Sequence, residues 1–254
     1  MKLADITPVI LTWNEEPNLG RCLNALHWAR EVVIVDSGST DETERIARSF
    51  PNVRWMVRPF DDHTKQWNFG LDAVNTEWVL SLDADYVTPG MIQTECESLP
   101  GGPVAWYGAF RYLIHGRPLS ASLYPPRALL FKKASCRYEQ DGHTQLLKLN
   151  GESGHLKSVF DHDDRKPLSR WIASQYKYAE LEAAKLMLAD GSSLRIQDRL
   201  RKWILPAPVM TLVYTLLVKR TILDGWPGIY YTLQRVIAEF MLSLCLAERR
   251  LGIK

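Results

Sequence analysis

The chain has 254 residues, of which 46% are hydrophobic and 24% are charged, and its formal net charge is +2. This length and apolar content suit one large core with an appendage, and the near balance of charge argues against general nucleic-acid binding. The four scattered cysteines form no CxxC pair, which argues against a zinc cluster or a disulfide framework and favours a reducing cytosol. The N-terminus has no signal-peptide pattern, so we expect the catalytic part to be cytoplasmic.

The first hundred residues alternate apolar runs with segments of helical spacing. The apolar runs predict buried strands at 6–11, 32–35, 53–57 and 78–82, with helices near 19–26, from Asp41 and over 67–74. Such alternation predicts an α/β layer with a mostly parallel sheet. Ligands bind beyond the carboxyl ends of the strands in these sheets. We therefore expect Trp13-Asn14-Glu15, Asp36-Ser37 and Asp83-Ala84-Asp85 to converge on one site.

The second half has a different pattern. Strands of a mixed sheet are predicted at 105–115, 127–133, 144–149 and 155–160, and a long helix at 168–189. Two apolar runs follow Trp203. Pro206 and Pro208 interrupt the first run, and Gln234, Arg235 and Glu239 lie in the second. We therefore expect neither run to cross a membrane.

Asp83 and Asp85 follow the apolar strand Val79-Leu80-Ser81-Leu82. Residues two apart on an extended chain point to the same side, so two carboxylates leave the sheet together. Hard oxygen ligands of this kind suit Mg²⁺ or Mn²⁺, which bridge diphosphate oxygens. A solvated strand end is the alternative interpretation of the pair taken alone.

Four segments resemble the donor half of family 2 glycosyltransferases with the GT-A fold, in their order and spacing. They are ILTWNEE, EVVIVDSGSTDET, KQWNFGLD and WVLSLDADYVTP. Within that family the chain looks most like the bacterial lipopolysaccharide-core and exopolysaccharide branch. The resemblance implies a GT-A domain over 1–166, with a donor half at 1–100 and an acceptor half at 101–166. A C-terminal helical region would then occupy 167–254.

The resemblance also implies roles for single residues on the donor side. Trp13 matches an aromatic residue that stacks on the nucleotide base, and Ser37 stands where many relatives have a second acid. Asp85 matches the direct metal ligand, and Asp83 a contact to ribose or to water around the metal. The remaining residues implied to bind the donor nucleotide are Thr12, Glu15 and Asp36 around the nucleoside and Lys65, Gln66 and Asn68 facing the diphosphate.

A run of five ionisable residues, 162–166, lies between a predicted strand and the long helix. By itself such a run is typical of an exposed loop. Relatives in this branch have a His here that closes over the donor diphosphate. The resemblance therefore implies that His162 completes the metal shell, while Arg165 and Lys166 neutralise charge on the leaving group.

An inverting transfer needs a general base for the acceptor hydroxyl. Relatives place a carboxylate in the acceptor segment, where the simplest register of this chain has Thr144. Asp141 is then the first candidate for the base, followed by His143 and Glu139.

These features together predict a metal-dependent inverting transfer of a sugar from a nucleotide-diphosphate donor, UDP in the first instance. The expected acceptor is a saccharide or a lipid-linked saccharide in cell-surface polysaccharide or lipopolysaccharide synthesis. Two alternatives stay open: a non-catalytic scaffold subunit with the same fold, and a sugar nucleotidyltransferase. Nucleotidyltransferases usually open with a Gly-rich phosphate loop, which argues against the second alternative, because Thr12–Gly20 of this chain contains a single glycine.

The C-terminal region has an apolar stripe with the spacing of one helix face: Trp226, Tyr230, Leu233, Ile237, Phe240 and Leu244. Cationic residues flank both apolar runs, at Arg195–Lys202, Lys219-Arg220 and Arg249-Arg250. Apolar faces edged by cations suit a helix lying on anionic lipid. We therefore expect peripheral attachment to the inner face of the cell membrane. A helical pair packed on its own domain or in a homo-oligomer is the alternative.

Overall fold

The computed structural model describes residues 1–141, 144–189, 194 and 196–253, and the side chains of Asp141 and Thr144 are outside this description. The chain forms two compact units, one of residues 1–116 and 124–165 and the other of residues 117–123 and 166–254. Residues 117–123 thus group with the C-terminal helices, although the predicted boundary assigns them to the first domain. The division of the first domain into a donor half (1–100) and an acceptor half (101–166) stays a prediction.

The first unit is built on a mixed sheet. Its strands are β1 (Ile6–Thr12), β2 (Val32–Asp36), β3 (Val53–Val57), β4 (Trp78–Asp83), β5 (Tyr86–Val87), β6 (Ala105–Ile114), β8 (Arg127–Lys132) and β11 (Ser153–His162). The order across the sheet is β3-β2-β1-β4-β8-β6-β11-β5. The pairs β3–β2, β2–β1, β1–β4 and β6–β11 are parallel, while β8 runs antiparallel to both β4 and β6. The α/β prediction with a mixed central sheet is confirmed.

Helices and a hairpin cover the two faces of this sheet. The helices are α1 (Leu19–Asn24), α2 (Thr43–Arg48), α3 (His63–Ala73) and α4 (Ile92–Ser98), and the hairpin joins β9 (Cys136–Asp141) to β10 (Thr144–Leu149). Alternate residues of β1 and β2 enter different cores. Ile10 and Ile34 pack in the cluster that contains α1, whereas Val9 and Val33 pack against α3. This alternation follows from the period of two in a strand.

In its described residues, the second unit forms helices and the two-residue strand β7 (Arg117–Pro118). Its elements are α5 (Leu168–Leu188), α6 (Ile196–Lys202), α7 (Pro206–Val213), a π-helical turn Tyr214–Val218, a 3₁₀ turn Thr221–Asp224 and α8 (Trp226–Arg250). Short 3₁₀ turns at Leu3–Asp5 and Lys133–Ser135 belong to the first unit. Ala183 and Leu186 of α5 pack against Leu242 and Leu246 of α8.

Two features of the second unit differ from expectation. Pro206 does not interrupt a helix but begins one, because the first turn of a helix has free amide groups and tolerates the ring of proline. The helix α8 is also long and apolar enough to cross a membrane, by length and composition alone. One of its faces is nonetheless buried within the unit, at residues such as Tyr231, Leu242 and Leu246.

Candidate active site

The carboxyl ends of three neighbouring parallel strands meet at one edge of the sheet. Thr12 at the end of β1 is in register with Asp36 at the end of β2, and Leu11 is in register with Asp83 at the end of β4. The apolar runs set this alignment, because their side chains fill both cores and fix the register of the strands. The strand ends thus lie side by side, as the sequence predicts.

Asp36 is buried and organises the loop that follows β2. One carboxylate oxygen accepts the amides of Gly38 (2.8 Å) and Ser39 (2.7 Å), and the other accepts the hydroxyls of Thr12 (2.8 Å) and Ser39 (2.5 Å). A carboxylate offers about four acceptor positions, so all of them are used inside the protein. This geometry makes Asp36 the anchor of the loop, and its predicted nucleoside contact stays a prediction.

The turn after β1 is tied to the same loop. Asn14 has a left-handed backbone (φ 54°), its amide donates to Ser39 Oγ at 2.7 Å, and its side-chain oxygen accepts the amide of Thr40 at 2.7 Å. The amide of Glu15 donates to Thr43 Oγ1 at 2.7 Å. Trp13 is left 56% exposed between these anchored neighbours. An indole face held at a rigid turn is a stacking surface for a base.

The start of α3 contains the residues predicted to face the diphosphate, and they have different partners. Lys65 is exposed and pairs with Asp61 (3.2 Å) and Asp62 (3.0 Å). Gln66 is buried and donates to Ser37 Oγ and to the Arg58 carbonyl, both at 3.0 Å. Asn68 exchanges two hydrogen bonds with the backbone of Tyr138, at 2.9 and 3.1 Å. Of the three, Lys65 alone carries a charge, and its side chain is exposed.

Asp85 and His162 come together although they are far apart in the sequence. His162 Nε2 lies 3.2 Å from Asp85 Oδ2, and the amide of Asp163 donates to the Asp85 carbonyl at 3.0 Å. The imidazole is buried among the rings of Tyr86, Tyr112 and Tyr124, with centroids 4.4 to 5.2 Å away. These aromatic neighbours hold the ring in place.

The donor set suits a divalent cation that is also held by a substrate. Among the described residues, His162 Nδ1 is buried without a hydrogen-bond partner, and no cluster of three or more His, Cys, Asp or Glu could by itself enclose a metal ion. Mg²⁺ commonly takes one or two carboxylates from the protein and the rest of its shell from water and phosphates. The pair of Asp85 and His162 fits that arrangement, and an imidazole ligand would suit Mn²⁺ better than Mg²⁺. The predicted role of Asp83 at the metal stays a prediction.

Three buried tyrosines lie close enough to Asp83 for its charge to raise the pKa of their hydroxyls. Burial first, and then the charge of Asp83, raise the pKa of Tyr86 and Tyr124 above the ordinary value. Burial also raises the pKa of Tyr138, whose hydroxyl lies 2.8 Å from Ser81 Oγ. These phenols therefore stay protonated at neutral pH and can donate hydrogen bonds. No sequence pattern distinguishes these tyrosines, although Tyr86 directly follows Asp85.

The segment 162–165 is anchored rather than a solvated loop. Asp163 is buried and accepts from Arg21 (2.8 Å), Arg165 (2.8 Å) and the amide of Gly116 (3.0 Å). Asn18 donates to Asp164 at 2.9 Å and accepts the Arg165 amide at 2.9 Å. Asn18 also donates to Glu15 at 3.0 Å, so one buried amide joins the turn after β1 to this segment.

This anchoring bears on the predicted cations. Arg165 is bound to Asp163 and keeps a partly exposed side chain, and Lys166 belongs to the second unit. Their predicted roles at the leaving group stay predictions. A cavity of about 490 Å³ opens beside the segment, lined by Arg21, Arg165 and apolar residues such as Val87. It includes Arg165 but none of the residues predicted to hold the nucleoside or the metal. Asn18 and Arg21 carry no sequence signal of their own.

The candidates for the general base are described unevenly. Glu139 lies on β9, where it pairs with Lys148 at 2.9 Å. Asp141 ends β9, but its side chain is outside the described part of the structure, and His143 lies outside the described residues altogether. The assignments of Asp141 and His143 stay predictions.

Comparison with known proteins finds similarity within the first unit. Residues 7–112 match the model of glycosyl transferase family 2. Over 84 residues the chain is 36% identical to the lipopolysaccharide core biosynthesis glycosyltransferase LpsC of Rhizobium meliloti, and over 96 residues it is 33% identical to an uncharacterized glycosyltransferase of Rickettsia typhi. These matches cover 32% and 37% of this chain, and about a third of each relative. The predicted resemblance to family 2 is confirmed.

Solved structures are similar at lower identity. Staphylococcus aureus TarS 1–349 in complex with UDP-GlcNAc gives a TM-score of 0.48 at 15% identity, covering 99% of this chain and 92% of that one. Glucosyl-3-phosphoglycerate synthase from Mycobacterium tuberculosis, in complex with Mn²⁺, UDP and phosphoglyceric acid, gives 0.46 at 13% identity, covering 73% of this chain and 80% of that one. TM-scores below 0.5 describe a loose likeness.

Proposed function

We propose, from the match of residues 7–112 to the model of glycosyl transferase family 2 and from the similarity to a lipopolysaccharide core glycosyltransferase, that this chain transfers a sugar from a UDP-sugar to a saccharide or lipid-linked saccharide. The observation that carries the proposal is the pairing of Asp85 and His162 at 3.2 Å, next to the strand ends that carry Thr12, Asp36 and Asp83. In this proposal the carboxylate and the imidazole bind the metal ion, and the anchored turn after β1 binds the nucleoside.

The donor binds along the edge of the sheet in this proposal. Trp13 stacks on the base, Glu15 and the loop held by Asp36 border the ribose, and Lys65 approaches the diphosphate. Asp85 and His162 hold Mg²⁺ or Mn²⁺, with Asp83 contacting its water shell. The ion, when bound, neutralises charge that develops on the diphosphate. The exposed part of Arg165 adds positive charge on the same side.

The reaction is an inverting displacement. The acceptor hydroxyl oxygen attacks the anomeric carbon, the bond from that carbon to the diphosphate oxygen breaks, and the electron pair leaves with the diphosphate. A carboxylate takes the proton of the hydroxyl, and Asp141 is our first candidate, with His143 and Glu139 behind it. Tyr86 and Tyr124, kept protonated by burial, can donate hydrogen bonds near Asp83.

The cellular setting follows from the relatives and from the C-terminal helices. We place the reaction in lipopolysaccharide or related cell-surface polysaccharide synthesis, at the inner face of the cell membrane, where a lipid-linked acceptor would reside. The similarity to a lipopolysaccharide core glycosyltransferase and the weakly apolar α8 support this setting.

The test is a panel of nucleotide sugars with and without Mn²⁺. Binding to the folded protein raises its melting midpoint by mass action, and we expect a UDP-sugar with Mn²⁺ to give the largest rise. Product formation with the same donor then establishes transfer. Donor binding without transfer or hydrolysis would favour the scaffold subunit instead. A shift confined to nucleoside triphosphates with sugar phosphates would favour a nucleotidyltransferase.

A further inference from the structure

The second unit contains a helical hairpin, Pro206 to Phe240, formed by α7, the two turns that follow it and the first part of α8, and its interior contains three buried threonines. Thr221 Oγ1 lies 2.9 Å from both the Thr215 carbonyl oxygen and Thr232 Oγ1, and Thr232 donates to the Gly228 carbonyl at 2.9 Å. The three threonines are at most 1% exposed. Small and hydroxyl-bearing residues that join helices through hydrogen bonds are typical of helix contacts in lipid.

Gly228 allows this close contact. A Cβ atom at this position would lie 1.8 Å from the Thr221 carbonyl oxygen, so the start of α8 and the preceding turn touch backbone to backbone. The buried threonine contacts and this backbone contact therefore hold the hairpin together. Packing of its outer apolar side chains is not needed to bring its two arms together.

The outer surface of α7 and the π-helical turn is apolar over most of the circumference. Exposed apolar side chains include consecutive residues of this segment. They are found at Val209, Met210, Leu212, Val213, Leu217 and Val218. A helix that is apolar nearly all round belongs in a protein core or in lipid. Within the second unit this surface is exposed, so we expect it to be covered by lipid or by another protein surface.

The charge and aromatic pattern favours a bilayer over a second copy of the chain. The stripe on α8 alternates steps of three and four, from Trp226 to Leu244, which a second helix could cover as a coiled-coil seam. Such a seam would leave the wide arc on α7 exposed. Trp203 follows Lys202, and Lys219 lies 5.7 Å from the ring of Tyr214. Aromatic rings beside cations are enriched at membrane interfaces.

We propose that the outer face of this hairpin inserts into one leaflet of a bilayer that contains anionic lipid. The inference rests on the proposed location at the membrane and names the surface responsible; it does not depend on the donor chemistry. Thirteen helical residues, Pro206–Val218, extend about 20 Å, less than the roughly 30 Å of a hydrocarbon core. Glu239 on α8 pairs with Arg201 on α6 at 2.6 Å. Charged side chains are costly inside a bilayer, so this pair keeps α8 at the interface.

The experiment compares two leucines with nearly equal exposure. Leu217 is 57% exposed on the hairpin, and Leu146 is 59% exposed on β10 of the first unit. With full-length protein and vesicles of phosphatidylcholine plus phosphatidylglycerol, we expect Leu217→Asp to lower the partition coefficient at least about tenfold. Leu146→Asp should leave it unchanged. High salt should release part of the wild type, and the rest should need detergent.

A fluorophore provides a second measurement that does not depend on a destabilising charge. The four native cysteines are buried, so a label on Leu217→Cys or Leu146→Cys reports its own site. We expect vesicles to blue-shift an environment-sensitive dye at position 217 and not at 146.

Two results would overturn the proposal. One is a protein that ignores vesicles and stays monomeric. The other is a dimer that Leu217→Asp dissociates while neither label responds to lipid, which would identify a second copy as the occupant. The UDP-induced rise in melting midpoint is measured on the same samples. If that rise is intact while lipid binding fails, the hairpin inference is wrong and the proposed donor site is unaffected.

Discussion

The two compact units differ most in what they leave exposed. Among the described residues, the first unit exposes a few scattered large hydrophobic side chains such as Trp13, Val57 and Met91, whereas the shorter second unit exposes most of those in the chain. The first unit closes its apolar surface by covering both faces of a sheet. The second buries one side of α8 and leaves the other side uncovered. Under our two proposals, the first unit carries out the chemistry and the second unit attaches the protein to the membrane.

The largest expected effect is on turnover and lies in the first unit. Asp85→Asn keeps the shape of the side chain and removes its charge, so transfer should fall at least about a thousandfold, or about 4 kcal/mol of transition-state stabilisation. The melting midpoint and vesicle binding should not change, because a carboxylate at a strand end contributes little packing. Steady-state transfer assays and calorimetry measure this.

The control for that variant is Asp72→Asn, another carboxylate of the first unit. Undiminished metal-assisted UDP binding by Asp85→Asn would end the metal assignment. Loss of vesicle binding in the same variant would contradict the assignment of catalysis to the first unit and of membrane attachment to the second.

A second, smaller effect is expected on stability. Asp163→Asn removes the charge that two guanidinium groups share inside the first unit. Both arginines are partly exposed, so we expect a loss of about 2 kcal/mol in the free energy of unfolding, less than for a fully buried pair. Urea denaturation measures the loss. A change below about 0.5 kcal/mol would mean that solvent replaces the carboxylate, and that the segment 162–165 is not anchored through it.

The third prediction separates chemistry from packing at His162. His162→Ala should lower turnover at least about tenfold, which corresponds to about 1.4 kcal/mol, because the diphosphate site loses its imidazole. Kinetics and thermal melting are measured together on the same preparation. Normal kinetics with a lower melting midpoint would show instead that the ring serves the aromatic cluster of Tyr86, Tyr112 and Tyr124.

The smallest effect is expected at a surface pair. Asp72 and Arg137 form a bidentate contact, but both side chains are about half exposed. Solvent screens such pairs, so Asp72→Asn should change the free energy of unfolding by less than about 1 kcal/mol and leave transfer unchanged. A loss of activity in this variant would mean that the β9–β10 hairpin, which carries Arg137, must be held by α3 for the acceptor side to work.

Much of the sheet is predictable from the sequence. The strand predicted at 53–57 is observed with the same bounds, and those at 6–11, 32–35 and 78–82 extend by one residue each. Continuous β-branched and apolar runs are visible in sequence because both faces of these strands are buried. The long helix at 168–189 also ends within one residue of its predicted bound. The two-residue strand β5 carries no periodicity that could reveal it.

The candidate site is predictable only in part. The strand ends align as expected, since parallel strands share a carboxyl edge. The partners of single side chains do not follow from local pattern. Asn68 bonds the backbone of Tyr138, seventy residues away, and Asn18 bonds residues near 164. Such contacts depend on which element folds over which, and one sequence does not contain that information in its spacing.

Gly228 gives the second unit an unusual genetic property. Because the clash would arise at the first carbon of any side chain, a missense change to alanine there should be as damaging as one to tryptophan. At most buried positions, the damage from a substitution instead depends on how much the side-chain volume changes. In a library of variants selected for membrane attachment, we therefore expect only glycine to be recovered at this position. Its neighbours on the outer face should accept any apolar replacement, because lipid has no fixed shape to match.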